Sequence, residues 1–140
     1  MKKISGQLLY SPTDLVRYLG SPFASWMDRY HLECPQAVTP DDDTDEERLI
    51  AQTGQEHEQI VLEELRTAQD GIVEIQTADV HAAREQTRAA IMAKSPMIYQ
   101  ATLCAGQFAG HADFLMLDGA GRYQVWDTKL ARSPKPYYAI

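Results

Sequence analysis

Apolar positions fall into short runs separated by turn formers, and the period of each run predicts its element. Leu8-Leu9-Tyr10 lead into Ser11-Pro12-Thr13-Asp14, where Ser11 suits an N-cap, Pro12 the first helical turn and Asp14 the acid of a capping box. Leu15, Val16, Tyr18 and Leu19 follow, and Gly20 ends the helix. Ser21-Pro22 repeats the start signal for a second helix carrying Phe23, Trp26, Met27 and Tyr30. A long helix is predicted over 45–67, because Ile50, Gly54, His57, Val61 and Leu65 recur at helical spacing on one face. After Gly71, residues 72–75 read as a short strand, 80–94 as a helix with an alanine-rich face, and 97–104 as a strand entered through Ser95-Pro96.

The chain's organising stretch is 106–131. Two runs rich in β-branched, aromatic and aliphatic residues flank Asp118-Gly119-Ala120-Gly121, which predicts a β-hairpin. A three-residue loop, Gly119-Ala120-Gly121, with glycine at the positive-φ position of a G1 bulge, opposes Asp113 to Asp127 and His111 to Lys129. Period-2 alternation then puts all four on one face. Facing carboxylates have Cβ atoms roughly 5 Å apart, and like charges directly opposite are destabilising unless a cation or proton is shared. A divalent metal between them, with a lysine two residues on, outlines a metal-assisted hydrolysis site. The plainer alternative is a solvated face that happens to carry two Asp and a Lys. Leu115, Leu117, Tyr123 and Val125 on one face and Phe114, Met116 and Trp126 on the other predict an interior sheet, where charges are rarely left unpaired. A loop shifted by one residue would put the two Asp on opposite faces.

At 140 residues the chain suffices for one domain with its own core. No apolar run approaches the ~18 residues of a membrane span, and the apolar piece of MKKISGQLLYSP is too short for a signal peptide, so a cytoplasmic protein without membrane contact is expected. Cys34 and Cys104 lack CxxC spacing; His31 and Cys34 form an HxxC pair with no second pair to complete a zinc site. Cys104 reads as a small buried hydrophobe. Net charge is −7, but unevenly spread: residues 92–140 hold five Lys/Arg against three Asp/Glu. Phosphate attraction from this chain is therefore weak, and mild only in its second half. The acidic run 41–47 fails as a calcium loop, since Glu46 stands where glycine is needed and Gln52 where glutamate is. It fits a solvated linker and a helix N-terminus whose partial positive charge it complements.

Gly110-His111-Ala112-Asp113, followed on the next strand by Asp127-Thr128-Lys129, resembles the D…(D/E)xK signature of the PD-(D/E)XK nuclease superfamily. Gly54-Gln55-Glu56-His57-Glu58 upstream, and the run from Trp126 to Arg132, make the chain most similar to its RecB-type branch, from about Leu8 to the end. The resemblance implies an α/β, restriction-endonuclease-like αβββ(αβ) core with a helical N-terminal extension. Residues 1–34 would be the helical segment, 35–47 the acidic linker and 48–140 a partial nuclease core. The implied activity is Mg²⁺- or Mn²⁺-dependent phosphodiester hydrolysis on DNA, within a larger DNA-processing protein. Asp113, Asp127 and Lys129 are the implied catalytic residues. Asp113 and Asp127 would bind metal, with His57 a further ligand and the Thr128 carbonyl another candidate. Periodicity alone favours a hydrogen-bonded core histidine at His57, and the resemblance reverses that preference; Glu58, about 100° around the helix, ranks behind it. Lys129 would orient the attacking water or stabilise developing charge. His111 is either a substrate-side contact or structural, and Arg132 and Lys135 are candidate phosphate contacts.

Some relatives of this branch hold an iron–sulfur cluster on one N-terminal and three C-terminal cysteines. Here Ser21 stands near the first position and the C-terminal trio is absent, so no cluster is expected. Residues 131–140 read as a loop entering a helix, where the resembled family continues with a helix bearing Gln and Tyr and then a strand. Tyr137 and Tyr138 lie near that helix's start. The last helix and strand are therefore expected to be missing, as in a fragment or truncated copy, which would leave one sheet face bare. The rival expectations are a non-catalytic nuclease-like module that binds DNA or a helicase domain or subunit, inactive without that helix, and a small metal-binding domain unrelated to nucleases.

Overall fold

The computed structural model describes residues 1–4 and 6–129. Among these, four helices accompany a mixed four-stranded sheet and a separate two-stranded N-terminal hairpin. That hairpin, β1 (Lys2–Ile4) and β2 (Gln7–Leu9), is antiparallel and turns through Gly6 at φ 81°. Its three-residue strands are too short to show a period in the sequence. Tyr10 then bridges to the large sheet: its N–H donates to the Gln107 carbonyl at 2.8 Å, and its carbonyl accepts from the Ala109 N–H at 2.8 Å.

α1 (Pro12–Gly20) starts as the sequence predicts. The Ser11 hydroxyl accepts from the Asp14 N–H, and the Asp14 carboxylate accepts from the Ser11 N–H at 2.7 Å. α2 (Pro22–Glu33) is capped by Ser21, which accepts from the Ala24 N–H at 3.1 Å. Neither helix holds a fully buried residue, and Val16, Leu19 and Phe23 are each more than half exposed.

α3 (Asp45–Ala68) opens on a second capping box, Thr44 with Glu47, and the end of the acidic run supplies its first turn. β3 (Ile72–Glu74), α4 (Val80–Met92) and β4 (Met97–Ala105) form a parallel crossover, followed by β5 (Phe108–Leu117) and β6 (Tyr123–Trp126). The sheet order is β3-β4-β5-β6, with both later pairs antiparallel.

The sheet is covered on both faces. Leu62 of α3 packs with Met97, Tyr99 and Phe114; Ala83 and Ala90 of α4 pack with Ile75, Ile98 and Leu115. Phe114, Leu62, Met97 and Ile98 are essentially sealed from solvent, each worth roughly 1.5–3 kcal/mol of burial. Two expectations are corrected. β6 is an edge among the described residues, with Val125 61 % and Trp126 52 % exposed, because neither helix extends over it. Cys104 is half-buried, lying beside the turn of the β4–β5 hairpin. No helix among the described residues is long and apolar enough to cross a membrane.

Candidate active site

The β5–β6 turn takes the three-residue form. The Asp118 N–H donates to the Arg122 carbonyl at 2.8 Å, the Gly121 N–H donates to the Asp118 carbonyl at 3.0 Å, and Gly121 takes φ 78°. Leu117 pairs with Tyr123, Leu115 with Val125 and Phe114 with Trp126. Continued by one residue, that register brings Asp113 opposite Asp127, and the two carboxyl groups hydrogen-bond to each other. The Asp113 carboxylate also accepts from the Thr128 N–H at 3.0 Å, and Lys129 Nζ lies 2.9 Å from Asp127 Oδ2.

Electrostatics separate the two carboxyls. Burial, then the hydrogen bond with Asp127 and the negative charges of Glu58 and Asp127, push Asp113 up to about 6, against the pull of the Thr128 N–H. Burial acts to raise Asp127 as well, but the Asp113 hydrogen bond and the Lys129 ammonium outweigh it and hold it below the usual carboxylate range. Lys129 is raised, first by its hydrogen bond to Asp127 and further by the charges of Asp113 and Glu58, with burial opposing. The two carboxyls are thus pushed apart, Asp113 up and Asp127 down, so Asp113 is the first of the two to take up a proton as pH falls.

Strict alternation fails at this point of the sheet. Tyr99 and Phe114 pack toward α3 and Ile98 and Leu115 toward α4, yet Ala101 and Ala112 also join the α4 side. Gln100 sits in the left-handed region at φ 54°, and the Gln100–Asp113 pair is missing from an otherwise continuous ladder. The slip turns Gln100 and Asp113 toward α3. Gln100 Nε2 donates to the Glu58 carboxylate, and Tyr99 is pushed up to about 12 by burial first and then by Glu58. The slip breaks strict period-2 alternation, yet the four odd-numbered residues still line one groove.

From α3, the charge of Glu58 reaches Asp113 and Lys129. The buried stripe of α3 is centred on Leu62, the one fully buried residue of the helix, and Glu58 lies one turn earlier. His57 is half-buried and makes no hydrogen bond or ion pair among the described residues, while Ile50, assigned to the same stripe, is 66 % exposed. A Cβ on Gly54 would meet nothing within 4 Å, so that glycine makes no close approach. The stripes 57-61-65 and 58-62-65 differ by one position, and Leu62 was the signal that chooses between them.

His111 lines the same groove as the carboxylates but makes no hydrogen bond to them. It is exposed, with Nδ1 3.1 Å from the hydroxyl of buried Thr102 on β4. Thr128 presents its N–H and hydroxyl, not its carbonyl, to Asp113. Arg132 and Lys135 lie outside the described residues. Among those described, no three His, Cys, Asp or Glu side chains converge as a ready-made ligand cluster.

A groove of about 490 Å³ is lined by His111, Asp113, Asp127 and Lys129 together with Tyr10, Ser11 and Pro12. Comparisons with protein-family models, with curated proteins and with solved structures find no match to this chain.

Proposed function

We propose that this groove is the active site of a divalent-cation-dependent nuclease acting on DNA. The carrying observation is the apposition of Asp113 and Asp127 with Lys129 beside them: opposed acids with one ammonium group paired to them among the described residues. The order β3-α4-β4-β5-β6, with α3 across the sheet, supports the finer reading of a restriction-endonuclease-like core, and with it the resemblance to RecB-type nucleases. The left-handed Gln100 adds support, since non-glycine residues held there cluster at functional sites.

The donor set suits Mg²⁺ or Mn²⁺, which prefer carboxylate oxygens; Asp113 and Asp127, with Glu58 from α3, are the residues that would hold it. A bound ion would acidify a coordinated water and neutralise phosphate charge. Asp113, the more readily protonated of the two, must be in its carboxylate form for the pair to act as ligand or base. The Thr128 N–H then stabilises its carboxylate form. Lys129, aligned by Asp127, offers an N–H donor to a phosphate oxygen or to the charge that develops as the bond breaks. His111 and the first turn of α1 flank the groove where the substrate chain would pass.

The test is cleavage of labelled single- and double-stranded DNA with Mg²⁺ or Mn²⁺, comparing the chain with Asp127→Ala and Lys129→Ala. Cation-dependent cutting that falls at least about a hundredfold in both variants is expected. No cutting under any of these conditions sinks the catalytic reading and leaves a nuclease-like binding module.

A further inference from the structure

Besides the two carboxylates the groove presents His111, whose imidazole ends a chain of hydrogen bonds that reaches α4. Thr102 and His111 oppose each other across the β4–β5 pair, and the hydroxyl of Thr102, a residue only 2 % exposed, lies 3.1 Å from His111 Nδ1. We infer that Thr102 holds His111 with Nδ1 as acceptor and the proton on Nε2, which leaves a neutral N–H to donate to a backbone phosphate of nucleic acid in the groove. The inference rests on the nuclease reading for the ligand, and it adds how His111 meets that ligand and why His111 does not bind the cation.

The tautomer follows from where the protons can go. On α4, the Thr87 hydroxyl donates to the Ala83 carbonyl at 2.9 Å and accepts the Thr102 N–H at 2.9 Å. Its one proton is therefore committed. The Thr102 hydroxyl proton then has His111 Nδ1 as its one acceptor among the described residues. The opposite arrangement, with Nδ1–H donating to Thr102, would strand a buried hydroxyl proton, which costs more than an unused lone pair. When one ring nitrogen of a neutral imidazole accepts, the other carries the hydrogen.

This arrangement decides what His111 can do. With the Nδ1 lone pair taken and Nε2 protonated, the ring has no lone pair left for a cation or a proton, so it neither ligates metal nor acts as a base. A neutral donor also suits the place. Lys129 is drawn to Asp127 at 2.9 Å, whereas His111 bonds neither carboxylate and stays available to a ligand. His111 precedes Asp113 by two residues on β5, about 7 Å at strand rise and close to one phosphate-to-phosphate step, so it meets a neighbour of the phosphate beside Asp113. Such a contact fixes the register of the bound strand and carries no sequence information. Thr102, which touches no substrate, is the positioning residue.

The test is heteronuclear NMR of the imidazole nitrogens at about pH 8.5, where free imidazole is neutral, followed by DNA binding. His111, assigned among the four histidines by its loss in His111→Ala, should show Nε2–H alone. Thr102→Val should average it with the Nδ1–H form, and Thr102→Ser should restore it. In fluorescence anisotropy with labelled DNA and Ca²⁺, His111→Ala and His111→Phe should each bind about tenfold more weakly, Thr102→Val about threefold, and Thr102→Ser like the parent chain. Nδ1–H in the parent, or a switch to it on adding Mg²⁺, would make His111 a base or a metal ligand and overturn the inference. Full binding by His111→Phe, which keeps a ring without an N–H, or no binding by the parent, also overturns it. His111 is exposed, so its variants keep the fold, and the parent spectrum needs no variant. Because binding is read without cleavage, a chain that binds DNA through His111 but never cuts with Mg²⁺ or Mn²⁺ keeps this inference and loses the nuclease reading; one that cuts equally well as His111→Ala does the reverse.

Discussion

A Cβ placed on Gly110 would stand 3.0 Å from both Cδ and Cγ of Pro12, so a bare backbone on β5 is what lets the first turn of α1 close against the sheet. Both residues line the groove, so the contact fixes α1 relative to β5 there. Gly110→Ala must therefore push the Pro12 ring outward by a few tenths of an ångström. Adding a methyl to a strand residue gains roughly 0.4–1 kcal/mol through the unfolded chain, but overpacking costs about 1–3 kcal/mol, so net destabilisation of about 1 kcal/mol is expected. Urea unfolding of Gly110→Ala, Pro12→Ala and the double variant measures it. The double variant should recover most of the loss; simple additivity would mean the two residues do not press on each other.

Asp113 makes stability depend on pH in a definite direction. Its carboxyl is raised to about 6 in the folded chain, against about 3.9 when unfolded. Between those values the folded state holds a proton that the unfolded state has lost, so this group's contribution falls as pH rises from about 4 through 6. Asp127 works oppositely and lower: its depressed value stabilises the fold above its unfolded pKa and is lost as pH falls. Asp113→Asn should therefore raise Tm by a few degrees at pH 8 without divalent ions, and by nearly nothing at pH 4. Added Mg²⁺ should raise Tm for the parent chain and not for the variant. A variant less stable than the parent at pH 8 contradicts a raised Asp113 carboxyl.

How much of this was legible follows from which signals are local. Ser11-Pro12 and Ser21-Pro22 wrote the two helix starts, and Asp118-Gly119-Ala120-Gly121 wrote the hairpin loop and with it the Asp113–Asp127 register. The N-terminal hairpin was not legible, because three-residue strands carry no period. Nor was the slip at Gln100, since glutamine gives no local sign that it will take positive φ; tertiary contacts with Glu58 and the two cores impose it. The exposed β6 edge was missed because an apolar sequence pattern does not say whether anything covers it.

The choice between His57 and Glu58 on α3 is open to direct comparison. Glu58 faces Gln100 and Tyr99 and its charge reaches Asp113 and Lys129; His57 does none of this among the described residues. Glu58→Gln preserves size and hydrogen bonding while removing the charge. In the cleavage assay it should lose about 10- to 100-fold, the scale of a residue that holds or orients a metal-binding group. His57→Ala should lose less than about threefold on the same scale. A larger loss for His57→Ala would restore the histidine as the helix's ligand and relegate Glu58 to positioning.

Gln100 carries a conformational cost that its substituents can separate. At φ 54° a non-glycine residue is disfavoured by roughly 1–2 kcal/mol, and a β-branched one by more. Gln100→Gly relieves that cost but loses the bond to Glu58 and adds chain entropy to the unfolded state, so its stability should stay within about 1 kcal/mol of the parent. Gln100→Val cannot adopt the angle without strain and should lose about 1–3 kcal/mol. The valine variant should also draw the strand toward regular alternation, moving Asp113 away from α3 and weakening its coupling to Asp127. Denaturant unfolding and cleavage should therefore rank Gly above Val together. If Val cut as well as the parent while being equally stable, the slip in the sheet would have no part in building the site.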